Sequence, residues 1–151
     1  MLTNRPECDT LSVEVETMEI RKATQADYIH IVRAIQNKGI SYITPSHVRA
    51  DVTEGRQFVM VNNGKVIAIL SLVWDAQYQY YAMKRLCVTN KRNNGKGYAQ
   101  EMIRFVSACA DGKVGCTPWA DNGAMRHTLE KLGFQLEYIF EKKWCFYSKK
   151  C

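Results

Sequence analysis

Three segments of the chain carry apolar residues at the three- and four-residue spacing of an amphipathic helix. They cover about residues 24–39, 98–111 and 122–132, and Pro45 opens a shorter helix that ends near residue 54. The apolar stripes of the three longer helices are Tyr28, Ile31, Val32 and Ile35; Ala99, Met102, Ile103, Val106, Cys109 and Ala110; and Met125, Leu129 and Leu132.

Runs of β-branched, aromatic and alternating apolar residues between these helices predict strands. The pair Asn63-Gly64 separates two such runs and is the signature of a two-residue hairpin. Residues 1–17 predict either an N-terminal arm or an extra strand, because Leu11, Val13 and Val15 alternate with polar residues. Residues 18–151 are expected to form one domain, with strands at about residues 18–23, 58–61, 66–73, 80–89, 114–117, 137–140 and 144–148.

The turn at residues 94–99, with the sequence NGKGYA, lies directly between a predicted strand and a predicted helix. A glycine-rich turn that opens a helix points unbonded N–H groups and the positive end of the helix dipole at whatever lies above it. A Walker loop is excluded because Lys96 is followed by Gly97, and the turn lies too far along the chain for a Rossmann fingerprint. The turn therefore predicts a site for a pyrophosphate.

This turn resembles motif A of the GCN5-related N-acetyltransferases, the GNAT family. That motif reads Gln or Arg, two residues, Gly, one residue, and then Gly or Ala. Residues 92–97 match the letters, but this register places polar residues where the family's helix carries core residues. Residues 94–99 place Met102 and Ile103 there, and we prefer this register because burial of the helix face is the stronger constraint.

Residues 122–134 resemble motif B of the same family, which reads Asn-x-x-Ala-x-x-Leu-Tyr-x-Lys-x-Gly-Phe. The two motifs occur in the family's order, and the resemblance extends over about residues 18–149. It implies a single α/β (α+β) domain with a mixed central sheet of six to seven strands and helices on both faces. It also implies that two strands splay apart at a wedge that takes acyl-CoA.

The resemblance implies acetyl-CoA, or coenzyme A, as the cofactor. Backbone groups of β-strand residues 86–88 would pair with the pantetheine, and the N–H of Val88 would have an oxyanion role toward the thioester carbonyl. The residues implied to hold the cofactor are Leu86, Cys87, Val88, Arg92, Asn93, Asn94, Gly95, Lys96, Gly97, Tyr98, Ala99, Asn122 and Met125.

Two positions depart from the family's pattern. Many members carry a Tyr in motif B that protonates the departing CoA thiolate, and this chain has Leu129, which does not titrate. Some members place a Glu base five residues ahead of the motif's Asn, and here that residue is Thr117. Cys116 faces either the acetyl group or the core. General acid–base assistance is typically worth about 10² to 10⁴-fold, so another group substitutes, or turnover is slow or absent.

The acceptor is expected on the side of the wedge that CoA leaves free. The N-terminal arm, the Pro45 helix and the connection at residues 74–80 are predicted to form its pocket. One carboxylate among aromatic side chains would favour a cationic amine over an anionic one. The candidate acceptor-side residues are Trp74, Asp75, Tyr78, Tyr80 and Trp119.

The composition is that of a globular domain, with 151 residues, 46% hydrophobic and 24% charged. No apolar run approaches the length of a membrane span, and the N-terminus lacks the apolar region of a signal peptide. The six cysteines show no C-x-x-C pair and no zinc spacing. We therefore expect a cytoplasmic protein with no membrane partner and no metal site.

The net charge is +6, and residues 1–17 hold four acids and one base, so the remainder carries +9. This balance suits an anionic ligand such as CoA, RNA, or simply a solvated basic surface. No aromatic RNP strand or GXXG loop is present, so no nucleic-acid partner is expected. The sequence leaves a homodimer open.

The leading prediction is an N-acetyltransferase that moves an acetyl group from acetyl-CoA to a primary amine of a small molecule, amino acid or peptide. The amine would attack directly within a ternary complex. The alternative is a catalytically weak or inactive CoA-binding module.

Overall fold

The computed structural model describes residues 10–13, 18–89 and 97–150. Within these residues the strands are β1 (Thr10–Val13), β2 (Met18–Lys22), β3 (Gln57–Asn62), β4 (Lys65–Asp75), β5 (Tyr80–Val88), β6 (Lys113–Cys116), β7 (Gln135–Phe140) and β8 (Trp144–Lys150). The α-helices are α1 (Tyr28–Lys38), α2 (Pro45–Thr53), α3 (Tyr98–Cys109) and α4 (Gly123–Lys131).

The strands form one mixed sheet in the order β1-β2-β3-β4-β5-β6-β8-β7. Neighbouring strands run antiparallel, except that β5 and β6 are parallel. Seven strands begin at or after Met18, in agreement with the predicted six to seven. An eighth, β1, comes from the N-terminal residues that were predicted as an arm or an extra strand.

Apolar side chains cover both faces of the sheet, as the patterning predicts. On one face α3 and α4 pack against β2 to β5 and β8, with Met102, Ile103 and Leu129 at 0–1% exposure. On the other face α1 and α2 pack against β3, β4 and β5 in a smaller cluster that includes Ile31 and Val48. Full burial of such a side chain stabilises the fold by about 1.5–3 kcal/mol, so both layers contribute to its stability.

The turns follow their local chemistry. Asn63 and Gly64 both have positive φ, 51° and 78°, which is the two-residue hairpin that the sequence predicts between β3 and β4. The helix predicted to start after Thr24 begins instead with a 3₁₀ turn at Gln25–Asp27, so α1 starts at Tyr28. None of the helices in the described part of the chain is long and apolar enough to cross a membrane.

Candidate functional site

Strands β5 and β6 lie side by side over only two residue pairs, of which Ala82 with Gly115 is the last. Beyond this pair β5 continues to Val88, whereas β6 ends at Cys116. The two strands therefore separate into the wedge that was predicted. Within the described residues, the edge of β5 after Ala82 is paired with no strand on this side, and an extended ligand can pair with such an edge.

The backbone of Val88 faces this gap. The next residue, Thr89, donates its N–H to the carbonyl of Ile67 in β4 at 3.0 Å. Successive residues of a strand direct their peptide groups to opposite edges, so the N–H and carbonyl of Val88 point away from β4 and toward β6. The carbonyl accepts a hydrogen bond from the ammonium of Lys38 in α1.

A β-bulge interrupts β5 just before this point. The single residue Leu70 of β4 lies opposite two residues of β5, Arg85 and Leu86, and Arg85 takes a left-handed φ of 56°. Nothing in the sequence pattern predicted it. A bulge of this kind bends a strand and redirects the side chains and peptide groups that follow. The flanking registered pairs are Ile69 with Cys87 and Ser71 with Lys84.

Helix α3 begins at the same end of β5 and opens on Gly97, which is exposed and has a left-handed φ of 80°. Among the described residues, a Cβ built on Gly97 would meet no atom within 4 Å. Met102 and Ile103 are buried at 0% and 1% exposure, as the preferred motif register requires. The other predicted phosphate contacts, which are Arg92, Asn93, Asn94, Gly95 and Lys96, lie outside the described residues.

A cleft of about 490 Å³ lies beside β5 and β6. It brings together three of the predicted acceptor residues, Asp75, Tyr78 and Tyr80, with Thr117 at the position of the family's Glu base. Its other walls are side chains of β6, β7 and β8 that the sequence interpretation missed: Lys113, Glu137, Tyr138, Phe140 and Phe146.

Gly115 is the sequence feature from which these cleft walls could have been predicted. A Cβ there would approach the rings of Phe146 and Tyr80 at 2.7 and 2.8 Å, so the two rings meet over β6 only because this residue has no side chain. An isolated glycine inside a strand marks such a close approach. The rings pack edge to face with centroids 5.2 Å apart and form the floor of the cleft.

The charges of the cleft are partly compensated. Lys113 and Glu137 form an ion pair at 3.0 Å. The pKa of Glu137 is lowered by a hydrogen bond from Ser148 and then by Lys113, so this carboxylate is ionised and already engaged. Burial raises the pKa of Tyr80, with Asp75 adding to the effect, so its phenol stays protonated at neutral pH.

Other predicted acceptor residues lie elsewhere. Trp74 packs against Tyr81 at a centroid distance of 4.9 Å and lines a different cavity, and Trp119 stacks on Trp144 at 3.9 Å. The Pro45 helix lines a separate cavity of about 410 Å³ with Tyr28. Of the described segments predicted to form the acceptor pocket, the connection reaches the cleft through Asp75, Tyr78 and Tyr80, and the Pro45 helix does not. Residues 1–9 and 14–17 of the predicted N-terminal arm lie outside the described residues.

Residues 19–134 match the model of the acetyltransferase (GNAT) family. The chain belongs to the GNAT family. Members of this family use acetyl-CoA as the acyl donor, and the splayed strands, the Val88 backbone and the start of α3 at Gly97 fit an acyl-CoA in this GNAT protein.

Solved structures agree on the fold. A GNAT acetyltransferase from Streptococcus agalactiae is 19% identical with a TM-score of 0.74, and the match covers 89% of this chain and 96% of that one. The ribosomal-protein-S18-alanine N-acetyltransferase from Escherichia coli is 14% identical with a TM-score of 0.71, covering 88% and 93%. Arabidopsis thaliana Naa50, in complex with the bisubstrate analogue CoA-Ac-MVNAL, is 11% identical with a TM-score of 0.67, covering 87% and 97%. No curated protein matches the chain.

Motif B of this GNAT protein forms α4 as predicted, and the residue at the family's Tyr position is part of the core. The side-chain oxygen of Asn122 accepts the N–H of Met125 at 3.2 Å and so caps the helix. Leu129, at the family's Tyr position, is 0% exposed and belongs to the α3 core. Its role in the described structure is packing, and a larger aromatic ring there would require the core to shift.

Two further groups near the GNAT wedge are poor proton donors or nucleophiles. Burial raises the pKa of Cys116 to about 11, so its thiol remains protonated at neutral pH. The hydroxyl of Tyr147, which is paired in register with Cys116, donates to Glu130 at 2.7 Å and accepts from Arg126 at 3.0 Å. Burial is also the main cause that raises the pKa of Tyr147, and its hydrogen bonds are already made.

Proposed function

We propose that this GNAT protein transfers the acetyl group of acetyl-CoA directly to a primary amine of a small molecule, amino acid or peptide, within a ternary complex. The observation that carries the proposal is the open edge of β5. There the N–H of Val88 faces the gap between β5 and β6, next to the start of α3.

The donor would lie along this edge with its pyrophosphate at the start of α3. Gly97, Tyr98 and Ala99 form the described part of the helix start, and the positive end of the helix dipole favours an anion there. From the sequence resemblance, Arg92, Asn93, Asn94, Gly95 and Lys96 complete the phosphate contacts. Leu86 and Val88 would pair with the pantetheine, whereas the peptide groups of Cys87 face β4, opposite Ile69. Asn122 and Met125 would contact its arm.

The reaction needs few side chains. The lone pair of the neutral amine attacks the thioester carbon, a C–N bond forms, and the C–S bond breaks with sulfur leaving as thiolate. The N–H of Val88 would stabilise the negative charge that develops on the carbonyl oxygen. A thiol with a pKa near 8.5 can leave without a proton, so Leu129 in place of Tyr slows the step without blocking it.

The cleft lined by Asp75, Tyr78 and Tyr80 is the proposed acceptor site. Its aromatic walls and the carboxylate of Asp75 suit a cationic amine. Asp75 rather than Glu137 would make this contact, because Glu137 is already paired with Lys113. Asp75 or a water in this cleft is the proposed acceptor of the proton that the attacking nitrogen loses.

Leu129 and Thr117 favour a second candidate, a CoA-binding module with little or no turnover. Both residues lack the titrating groups that many members of the family use. The test is thiol release from acetyl-CoA over a panel of amines, with CoA affinity measured in parallel. Turnover on any amine supports the enzyme, whereas tight CoA binding with no turnover supports the module, and no CoA binding refutes both.

A further inference from the structure

A buried carboxylate lies directly behind the bulge of β5. Asp51 of α2 is 2% exposed, and its Oδ2 accepts hydrogen bonds from Arg85 at 2.6 and 3.1 Å and from Ser71 at 2.7 Å. Its other oxygen lies 3.1 Å from Nε of Arg56. A buried charge of this kind is stable only when it is paired and hydrogen-bonded, so Asp51 and Arg85 hold each other in place.

The bulge is what brings Arg85 to Asp51. In an uninterrupted strand the side chains alternate, and since Met83 packs in the α3 core, Arg85 would enter that apolar core as well. In the structure Leu86 packs there instead, and Cys87 packs with α1 and α2 on the opposite face. The extra residue thus sends the guanidinium to Asp51 and returns Leu86 to the apolar core.

The same extra residue decides which N–H faces the gap. Without it, pairing continued from Ser71 and Lys84 would set Val88 opposite Ile67 and turn its N–H toward β4. With it, Val88 lies opposite Ala68, and its N–H points into the gap. The left-handed φ of Arg85 is unfavourable for a residue with a side chain, so this bulge needs an anchor.

We propose that Asp51, acting through Arg85, is a positioning residue for acyl transfer. It fixes the bulge and thereby the register in which the N–H of Val88 reaches the thioester carbonyl. This inference rests on the proposed function, since that N–H matters only if an acyl group lies in the gap.

The test compares Arg85→Ala with Arg85→Gly in the full chain. Both remove the same guanidinium, but only glycine adopts a left-handed φ without steric cost. We expect kcat to fall at least tenfold in Arg85→Ala and to be at least fivefold higher in Arg85→Gly than in Arg85→Ala. The Kd for CoA should rise by less than kcat falls, because CoA keeps its phosphate contacts at the start of α3 and lacks the acyl carbonyl. Lys84→Ala and Lys84→Gly are the matched control. Lys84 has extended backbone, so glycine should not give a higher kcat than alanine at this position.

Asp51 is tested in the same assay. Asp51→Asn should lower kcat at least tenfold, and adding Arg85→Gly should recover at least fivefold of that loss. Arg56→Gln, which contacts the same carboxylate away from the bulge, should leave kcat within twofold. Equal kcat values for Arg85→Ala and Arg85→Gly, or an unchanged kcat in Asp51→Asn, would overturn the positioning role, and the Arg85 pair decides alone if Asp51→Asn does not fold.

Inactivity of the wild-type protein on every amine would refute the proposed function and, with it, the catalytic part of the inference. The anchoring part is then measured by NMR, from the coupling between the amide and Cα protons of residue 85. A left-handed value in wild type that becomes extended in Arg85→Ala supports the anchor, and a left-handed value in both refutes it.

Discussion

Main-chain geometry, more than side-chain chemistry, carries the proposed reaction at the residue scale. Two residues that titrate beside the gap are poorly suited to proton transfer, since Cys116 stays a thiol and the hydroxyl of Tyr147 is bound to Arg126 and Glu130. The N–H of Val88 is a donor fixed by the sheet itself. An electrostatic contact of this type is usually the largest single contribution in acyl transfer, so a chain that lacks the family's Tyr can still be an enzyme.

Val88→Pro tests this donor. Proline removes the N–H that faces the gap, and because that group is not part of the pairing with β4, the sheet should tolerate the change. We expect kcat to fall about 10² to 10³-fold, the usual loss when one oxyanion donor is removed, in a thiol-release assay. Thr89→Pro is the comparison for stability, because it removes the N–H bonded to Ile67 and should lower the melting temperature, which Val88→Pro should leave close to that of wild type. A kcat of wild-type size in folded Val88→Pro would contradict the oxyanion role.

Gly97 gives the second test at this scale. Gly97→Ala introduces only the strain of a side chain at a φ of 80°, whereas Gly97→Asp adds a carboxylate in front of α3. We expect Gly97→Asp to weaken acetyl-CoA binding at least tenfold, about 1.4 kcal/mol, and Gly97→Ala to weaken it clearly less. Calorimetry measures both Kd values. The same affinity in the two variants would show that the pyrophosphate of acetyl-CoA does not lie in front of Gly97.

At the scale of elements, the sequence pattern predicted the helices and turns whose formation depends on neighbouring residues. The stripe of α3, the cap of α4 at Asn122 and the Asn63-Gly64 hairpin each depend on residues close in sequence. The bulge of β5 does not, because Arg85 turns toward Asp51, which lies 34 residues earlier in the chain. The cleft walls on β7 and β8 were missed for the same reason, since they depend on how distant strands pair across Gly115.

The start of α1 provides a prediction on pH at this scale. Arg21 donates two hydrogen bonds to Asp27, at 2.6 and 3.0 Å, and Thr24 adds another from its backbone N–H. The hydrogen bond from Arg21 is the main cause that lowers the pKa of Asp27 from its ordinary 3.8. The ionised carboxylate therefore stabilises the fold above about pH 3.8, and this contribution is lost as the pH falls through the lowered value.

Asp27→Asn should accordingly reduce the free energy of unfolding by about 1–3 kcal/mol at pH 7 and by progressively less as the pH falls below 3.8. Urea unfolding at several pH values measures the difference. Asp121→Asn makes the same chemical change at an exposed position and should stay within about 0.5 kcal/mol of wild type. If the loss of unfolding free energy in Asp27→Asn is the same at every pH, the ion pair with Arg21 is not its cause.

On the scale of the whole molecule, the two faces of the sheet are covered unequally. Helices α1 and α2 pack on β3, β4 and β5, while the same face over β6, β8 and β7 carries partly exposed aromatic rings, including Tyr138 at 53% and Phe140 at 39%. Helix α3 lies on the opposite face, so a donor held by α3 and an acceptor held in the aromatic cleft would meet from two sides at the gap. This arrangement leaves the choice of acceptor to the cleft.

Asp75→Asn tests that choice. The amide keeps an oxygen for the N–H of Tyr78, which Asp75 now accepts at 3.0 Å, so the turn is preserved and only the charge is lost. For a cationic acceptor we expect KM to rise by up to about fivefold, since one partly exposed carboxylate contributes about 1 kcal/mol or less. For a neutral amine of similar size KM should not change, and this acceptor is the control.

The proposed acceptor class is wrong if anionic or neutral amines are better substrates than polyamines and basic amino acids. It is also wrong if Asp75→Asn leaves KM for the best cationic amine untouched, because the carboxylate is the one charge of the cleft that no ion pair in the described residues compensates.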